Sequence, residues 1–266
     1  MTITRKVGLA LGSGGVRGLV HIGIIKTLLK HKIPIDYISG TSIGAWVGAH
    51  YALYKDIDKL EELTIGRKKE KLLSFLELAF GGGLIKGEKL EKLLSKWLNN
   101  SDFGDLKIPL TIVAADLVKG EQFLFNAGKL ALAVRASTAI PGIFRPIRHG
   151  NKILIDGGVC NPVPADIVRK MGADVVIAIN LDRFQLLEGF TKKDFDLDNI
   201  ALRAMKLMRH YLAEQSIRGA DFVIQPNLAQ YSSWRKYFTS DTGKEMVKIG
   251  EKEIEKIMPA LKQALI

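Results

Sequence analysis

The residues best suited to covalent chemistry form the pentapeptide Gly40–Gly44, with Ser42 at its centre. When a Gly-x-Ser-x-Gly sequence joins a strand to a helix, the chain turns sharply and the serine hydroxyl projects above the sheet edge. The serine then also lies at a helix N-terminus, where unpaired N–H groups favour developing negative charge. The pattern predicts a nucleophilic Ser42; a glycine-flanked helix cap without chemistry is the alternative.

A second glycine-rich segment, Gly12–Gly18, also lies between a predicted strand and a predicted helix. Such loops bind phosphate in dinucleotide folds, where an acidic residue about 20 positions further on binds the ribose. Asp36 is near that offset, but it begins the second strand, whereas ribose recognition needs an acid at the strand's carboxyl end. We therefore expect the backbone N–H groups of Gly14 and Gly15 to form an oxyanion hole.

A serine nucleophile needs a base, and the histidines are poor candidates. Each lies in a predicted helix or turn from which it either cannot reach Ser42 or is better explained by packing. Asp156 fits better because it ends a strand, which places it on the same sheet edge as Ser42, and because Gly157 and Gly158 allow close approach. An aspartate in an ordinary β-turn is the alternative. The histidines considered are His21, His31, His50, His149 and His210.

The single cysteine, Cys160, has no basic neighbour in sequence, and we interpret it as a small packed thiol. One cysteine cannot form an intrachain disulfide, which excludes a disulfide-stapled secreted scaffold and predicts a cytoplasmic, reducing environment. No His, Cys or carboxylate spacing typical of a metal site is present. We expect no metal and no cofactor.

The elements that position these residues alternate between strand and helix. Strands separated by helical segments predict an α/β three-layer sandwich with a mostly parallel central sheet. Two hairpins are expected, at residues 118–120 and 149–151, and residues 56–100 are predicted to form a helical insertion. The predicted strands are 6–12, 36–39, 109–116, 122–126, 145–148, 152–156, 174–180 and 222–225. The remaining predicted helices are 16–31, 44–54, 129–136, 165–170, 197–217 and one from 241.

Length and composition are those of an ordinary globular protein. The chain has 266 residues, 47% of them hydrophobic and 25% charged, which excludes disorder, collagen and coiled coil. The length predicts one domain over residues 1–266. No apolar run reaches the roughly 18–20 residues that cross a bilayer.

The net charge of +11 comes from 39 Lys and Arg against 28 Asp and Glu. A basic surface attracts nucleic acid, anionic membranes or acidic substrates, and it also serves solubility alone. No zinc-finger, homeodomain or RNP-type pattern is present, so we expect no nucleic-acid partner. Peripheral contact with an anionic membrane is the partner we expect besides an acyl-ester or lipid substrate. The oligomeric state stays open.

Two further segments have compositions compatible with lipid contact. Residues 72–80 are apolar and precede the glycines 81–83, as in a mobile cover over a site. Residues 231–238 combine aromatic and cationic side chains, as interfacial segments do. Ordinary packing is the favoured alternative for both.

Four motifs together resemble the patatin-like phospholipase family, in which a G-G-G-x-[KR]-G loop, a G-x-S-x-G turn, an A-S-x-x-x-P segment and a D-G-[GA] triplet follow in this order. The resemblance covers about residues 5–180, and the segments 83–87 and 161–164 are similar to bacterial members. The departure is Ser13, which replaces the first glycine of the loop. The four motifs here are residues 13–18, 40–44, 136–141 and 156–158.

The resemblance implies a lipid acyl hydrolase of the phospholipase A or lysophospholipase type. It implies a dyad in which Ser42 is the nucleophile and Asp156 the base, without histidine. Since a carboxylate with a pKa of about 4 is a poor base at neutral pH, contact, desolvation and oxyanion stabilisation must compensate. Arg17 would order the oxyanion loop or meet a lipid phosphate. The supporting motif residues are Gly12, Arg17, Gly18, Gly40, Gly44, Gly157 and Gly158.

Three alternatives stay open at this point. A soluble short-chain esterase or thioesterase would use the same chemistry on monomeric substrates. A lipid-binding regulatory protein would keep the fold with negligible turnover, although retention of both Ser42 and Asp156 disfavours it. A nucleotide-binding oxidoreductase would respond to nicotinamide, which we do not expect.

Overall fold

The computed structural model describes residues 4–65, 87–182, 197–228, 231 and 241–266. Eight strands form one sheet. They are β1 (Val7–Leu11), β2 (Tyr37–Thr41), β3 (Leu110–Asp116), β4 (Glu121–Phe125), β5 (Ile147–His149), β6 (Lys152–Asp156), β7 (Val175–Ile179) and β8 (Phe222–Ile224). The α-helices are α1 (Val20–Lys30), α2 (Ile43–Tyr54), α3 (Ile57–Ile65), α4 (Glu88–Trp97), α5 (Leu130–Ser137), α6 (Ala165–Lys170), α7 (Leu197–Ser216) and α8 (Thr242–Ala264).

Hydrogen-bonded neighbours connect the strands in the order β5-β6-β3-β2-β1-β7-β8, and β4 also pairs with β3. The pairs of β1 with β2 and β7, of β2 with β3 and of β7 with β8 are parallel, whereas β4, β5 and β6 pair antiparallel. Helices cover both faces. The predicted α/β architecture with a mostly parallel sheet and both hairpins is thus confirmed, and the antiparallel part is confined to the β3–β6 region.

Strand β3 is shared by two strands along a single edge. Its first half pairs with β2, so that Thr41 lies opposite Val113, and its second half pairs with β6, so that Asp156 lies opposite Ala114. Because β4 overlaps the registers of both, it must lie on the other edge of β3. Since β2 is parallel and β6 antiparallel to β3, their carboxyl ends meet head to head. This junction positions the candidate site.

The core is built around the central strands. Every residue of β1 and β7 is buried, as expected for parallel strands covered on both faces. The segment 44–53 of α2 is also buried on all sides, which is typical of a helix that runs inside a protein rather than along its surface.

Helices α1 and α8 approach each other through two glycines. A Cβ atom at Gly23 would collide with the carbonyl oxygen of Val247, and one at Gly250 with that of Val20. The backbones are therefore in direct contact, and α1 continues from the glycine-rich loop after Gly12.

Several sequence predictions differ in detail from the structure or lie outside it. The helix predicted from residue 16 begins as a 3-10 helix over Gly15–Leu19 and becomes α-helical at Val20. In the first turn the Arg17 N–H donates to the Gly14 carbonyl three residues earlier, which is the 3-10 pattern. Helices α3 and α4 occupy the two ends of the predicted insertion. Residues 72–80 and 81–83 lie outside the described residues, as does 231–238 apart from Tyr231. No described helix combines the length and hydropathy needed to cross a membrane.

Candidate active site

Ser42 occupies a strained turn between β2 and α2. Its backbone has φ 55° and ψ −120°, in a region that non-glycine residues rarely adopt. Such strain persists only where the surroundings enforce it, and it recurs at reactive sites. Here the Ser42 N–H donates to Ser137 Oγ at 2.8 Å, and Ser137 Oγ donates to the Val113 carbonyl at 2.6 Å. Ser137, from the A-S-x-x-x-P motif, therefore fixes the turn to β3.

The glycines around Ser42 are required by close backbone contacts. A Cβ at Gly44 would collide with the carbonyl oxygen of Leu11, and one at Gly40 would lie 2.7 Å from the carbonyl oxygen of Gly44. The turn thus packs directly against the end of β1. This contact brings the Gly12–Gly18 loop next to Ser42.

Asp156 lies directly against the serine. Ser42 Oγ donates to Asp156 Oδ2 at 2.6 Å, and the Gly158 N–H donates to Asp156 Oδ1 at 2.7 Å. Both side chains are buried, with Ser42 and Asp156 each 5% exposed. Burial raises the pKa of Asp156, while the hydrogen bond from Ser42 and the charge of Arg209 oppose that rise. The structure therefore brings together the two residues that sequence reasoning paired.

The glycine-rich loop leaves two amides available. The Gly12 N–H donates to the Ile179 carbonyl and the Ser13 N–H to the Pro162 carbonyl, whereas those of Gly14 and Gly15 have no acceptor in the described part of the chain. A glycine at position 13 would offer no additional donor, so the Ser13 departure leaves the expected oxyanion amides intact. The loop also contacts the D-G-G triplet, since a Cβ at Gly158 would lie 3.2 Å from Ser13 Oγ.

Arg17 is tied to the loop rather than exposed as a plain surface residue. Its Nε donates to the Gly14 carbonyl at 3.1 Å, and its Nη2 donates to Asp182 Oδ1 at 3.1 Å. Ser13 Oγ donates to Asp182 Oδ2 at 2.5 Å, and Arg209 forms an ion pair with the same carboxylate. Asp182 and Arg209 were not anticipated from the sequence.

A signal for Asp182 exists in the sequence, because it comes shortly after the carboxyl end of the buried strand β7 and so lies at the same sheet edge as Ser42. Arg209 has no such signal. It lies in the middle of a long helix, where nothing in the pattern distinguishes it from neighbouring cations.

The histidines make other contacts. His21 is buried and its Nε2 donates to the Gly12 carbonyl at 2.9 Å, while burial lowers its pKa to about 4. Burial also lowers the pKa of His50 to about 4. Neither Ser42 nor Asp156 bonds to an imidazole within the described residues. The remaining histidines have these neighbours: His31 with Glu255, His149 with Phe123 and Phe125, and His210 with Tyr211.

Two rival assignments from the sequence find other uses in the structure. Asp36 accepts the Val7 N–H at 2.7 Å at the amino end of β1, away from the glycine loop. Cys160 is half-buried, and burial raises the pKa of its thiol to about 11, which keeps it protonated and unreactive.

Fold and site together define a class: an α/β protein whose Gly-x-Ser-x-Gly turn bonds a strand-end aspartate beside a glycine-rich loop. The profile of the family described as patatin-like phospholipase matches residues 9–169, more than half of the chain. The chain belongs to the patatin-like phospholipase family.

Relatives among curated proteins are similar over the same region. An uncharacterized NTE family protein of Mycobacterium tuberculosis is 35% identical over 178 residues, covering 66% of this chain and 49% of that protein. Patatin-like phospholipase domain-containing protein 6 of Mus musculus is 33% identical over 190 residues, covering 66% of this chain and 13% of that protein. The chain thus spans about half or less of the length of these relatives.

Solved structures show the same fold at low sequence identity. VipD from Legionella pneumophila superposes with a TM-score of 0.62 and 15% identity, covering 96% of this chain and 67% of that chain. The type III effector protein ExoU superposes with a TM-score of 0.52 and 13% identity, covering 98% of this chain and 54% of that chain.

Proposed function

We propose that the protein hydrolyses carboxylic esters of lipids, with Ser42 as nucleophile and Asp156 as its base. The observation that carries the proposal is the 2.6 Å hydrogen bond from Ser42 Oγ to Asp156 Oδ2 at a strained turn. Membership of the patatin-like phospholipase family supports the lipid substrate class.

In the acylation step, Asp156 accepts the hydroxyl proton while Ser42 Oγ bonds to the acyl carbon of the ester. Negative charge moves to the carbonyl oxygen, where the N–H groups of Gly14 and Gly15 stabilise it. The bond from the acyl carbon to the alcohol oxygen then breaks, and Asp156 returns its proton to the departing alcohol. The product is an acyl ester of Ser42.

In the deacylation step, Asp156 accepts a proton from water as the water oxygen attacks the acyl carbon. The oxyanion forms in the same place, Ser42 Oγ leaves, and the proton on Asp156 returns to it. A carboxylic acid is released and the free enzyme is restored, with no cofactor required.

Burial explains how an aspartate serves as the base. Brønsted behaviour favours a catalytic pKa near the working pH, and burial raises the pKa of Asp156 in that direction. Direct contact with Ser42 also removes any need for a relay. A buried aspartate in direct contact with Ser42 can therefore act as the base in place of a histidine, and no histidine in the described residues bonds either side chain.

The net charge of +11 supports peripheral contact with an anionic lipid surface. Comparing hydrolysis of one ester below and above its critical micelle concentration tests this part. A rise in rate on the aggregated substrate is expected, while equal rates would indicate a soluble short-chain esterase or thioesterase.

The chemistry is tested with a fluorophosphonate probe, which labels activated serines covalently. Wild-type protein is expected to become labelled, and Ser42→Ala to remain unlabelled. Labelling that persists in Ser42→Ala would assign the nucleophile elsewhere. Rapid labelling without turnover of any ester would instead favour a lipid-binding regulatory role.

A further inference from the structure

A second buried carboxylate lies beside the glycine-rich loop and bonds three side chains. Asp182, 6% exposed, accepts from Ser13 Oγ at 2.5 Å and from Arg17 Nη2 at 3.1 Å, and it pairs with Arg209 from α7. Its own N–H donates to Asn180 Oδ1 at 2.9 Å, which fixes the carboxylate relative to the end of β7.

These contacts hold the loop from two directions. Ser13 and Arg17 flank the two expected oxyanion residues, and both bond to Asp182. The Leu181 side chain also packs against Gly14, where a Cβ would lie 2.9 Å from Leu181 Cβ. The position of the Gly14 and Gly15 amides thus depends on the segment that follows β7.

Arg209 connects this carboxylate to the dyad. It is bonded to Asp182 and also interacts electrostatically with Asp156. The charged and titratable groups that act on Asp156 from the packed elements, within the described residues, are Arg209, Asp182 and Cys160. Of these, Arg209 alone carries a positive charge that favours the ionised carboxylate.

We propose that Asp182 and Arg209 are positioning residues of the active site. Asp182 fixes the oxyanion loop through Ser13 and Arg17, and it also holds Arg209, whose charge favours the form of Asp156 that can accept the Ser42 proton. The inference rests on the proposed function for its catalytic meaning, but its electrostatic part can be measured without turnover.

Arg209 is tested through the pH profile of kcat/KM on a neutral p-nitrophenyl ester. The acidic limb of this profile reports the pKa of the base in the free enzyme. Removing a cation makes the carboxyl harder to ionise, so Arg209→Gln is expected to move the limb upward by about one pH unit, roughly a tenfold loss of rate below it. Arg209→Lys keeps the charge, so the acidic limb of this variant is expected to stay near its wild-type position.

Lys206 supplies a matched control on the same helix. It interacts electrostatically with Arg17 and Arg209 but is not among the groups that bond Asp182. Lys206→Gln therefore removes a nearby charge but leaves the Arg209–Asp182 ion pair in place. The acidic limb of its pH profile is expected to stay within about 0.3 pH unit of wild type. An equal shift in Lys206→Gln and Arg209→Gln would overturn a specific role for Arg209.

Asp182 is tested by the variant Asp182→Asn, which keeps the size of the side chain. Lower kcat with an unchanged KM is expected, because the loop acts on the transition state rather than on substrate binding. If kcat and the pH profile of Asp182→Asn both equal those of wild type, Asp182 does not position the loop.

An equal loss of kcat/KM at every pH in Arg209→Gln and Arg209→Lys would indicate that Arg209 has a structural role only.

Carbon-13 NMR of the Asp156 carboxyl, assigned by the signal missing in Asp156→Asn, provides a second measurement. The pH at the midpoint of the titration of this signal is expected to rise in Arg209→Gln. It is expected to stay near the wild-type value in Lys206→Gln and Arg209→Lys. An unchanged midpoint in Arg209→Gln would refute the inference. A protein that shows the NMR shift but no Ser42-dependent hydrolysis would refute the proposed function instead, so the two failures are distinguishable.

Discussion

Two buried aspartates lie at one sheet edge, and each bonds a serine, but the other groups bonded to them differ. Asp156 ends β6 and Asp182 follows β7, and each accepts a short hydrogen bond from a serine hydroxyl, at 2.6 Å from Ser42 and 2.5 Å from Ser13. Asp182, however, also bonds two arginines, whereas among the described residues the Asp156 carboxylate accepts just the Gly158 N–H besides its serine. A serine–aspartate hydrogen bond is therefore insufficient to identify a reactive pair.

The backbone provides the other half of the difference. Ser42 has a positive φ and begins a 12-residue helix, while Ser13 is not among the described residues with positive φ. Ser42 thus combines strain, a helix dipole and a carboxylate without a directly bonded cation. Ser13 has none of these, and its aspartate is occupied by ion pairs. Under the proposed function, the different reactivity of the two serines follows from the cations bonded to Asp182 and from the strained geometry of the turn at Ser42.

The largest expected effect separates the two serines. Ser42→Ala is expected to lower kcat/KM by at least about 10⁴-fold, since the nucleophile is lost, while Ser13→Ala is expected to retain activity within about tenfold. Steady-state ester hydrolysis and fluorophosphonate labelling measure both. Comparable losses in the two variants would erase the distinction between the pairs.

The next effect separates the two aspartates. Asp156→Asn is expected to lower kcat by about 10⁴-fold, the order found when the aspartate of a catalytic triad is replaced by asparagine, and Asp182→Asn by only about 10–100-fold. The measurement is kcat on a neutral ester with circular dichroism as the check on folding. A larger loss in Asp182→Asn than in Asp156→Asn would reverse the assignment of the base.

A smaller effect is expected at Ser137, which accepts the Ser42 N–H. Ser137→Ala leaves that buried amide unsatisfied and loosens the strained turn, with an expected cost of about 1–3 kcal/mol in the free energy of unfolding. A decrease in kcat of about tenfold is expected with it. Ser137→Thr, which keeps the hydroxyl, is the matched control, and a rate as low as that of the alanine variant would assign the effect to packing.

The smallest expected effect concerns stability and pH. Because the pKa of Asp156 is raised in the folded protein, folding is favoured when Asp156 is protonated, and this stabilisation is lost as pH rises through its folded pKa. Asp156→Asn is therefore expected to raise Tm near neutral pH, because it removes a buried carboxylate, and to have little effect on Tm below a pH of about 4.

Asp182→Asn should act in the opposite direction, because it leaves two half-buried arginines without the buried carboxylate that they pair with. Thermal melts across the pH range compare the two variants. A Tm that falls in both variants at neutral pH would mean that the surroundings stabilise the buried Asp156 carboxylate as well as they stabilise that of Asp182.

Much of this arrangement was accessible from the sequence. The strand and helix pattern predicted the elements because apolar runs such as those in β1 and β7 are typical of buried strands. The position of Ser42 and Asp156 at strand ends predicted that they lie on one edge. The contacts of Asp182 with Ser13, Arg17 and Arg209 were not predicted. Arg209 lies on α7, and the sequence pattern does not indicate where this helix packs relative to the sheet.

The sharing of β3 by β2 and β6 was also beyond sequence reasoning. Periodicity predicts strands but not which part of an edge each one occupies. Only the register, with Thr41 opposite Val113 and Asp156 opposite Ala114, shows why the two functional groups meet.

That junction has a consequence for biosynthesis. Ser42 and Asp156 are 114 residues apart in sequence, and β6 must dock beside β2 before they touch. Because chains fold from the N-terminal end as they leave the ribosome, the serine turn can form while its aspartate is still being translated. Under the proposed function, the growing polypeptide therefore carries a serine without its base, and ester hydrolysis can begin only after β6, the last strand of the junction, is in place.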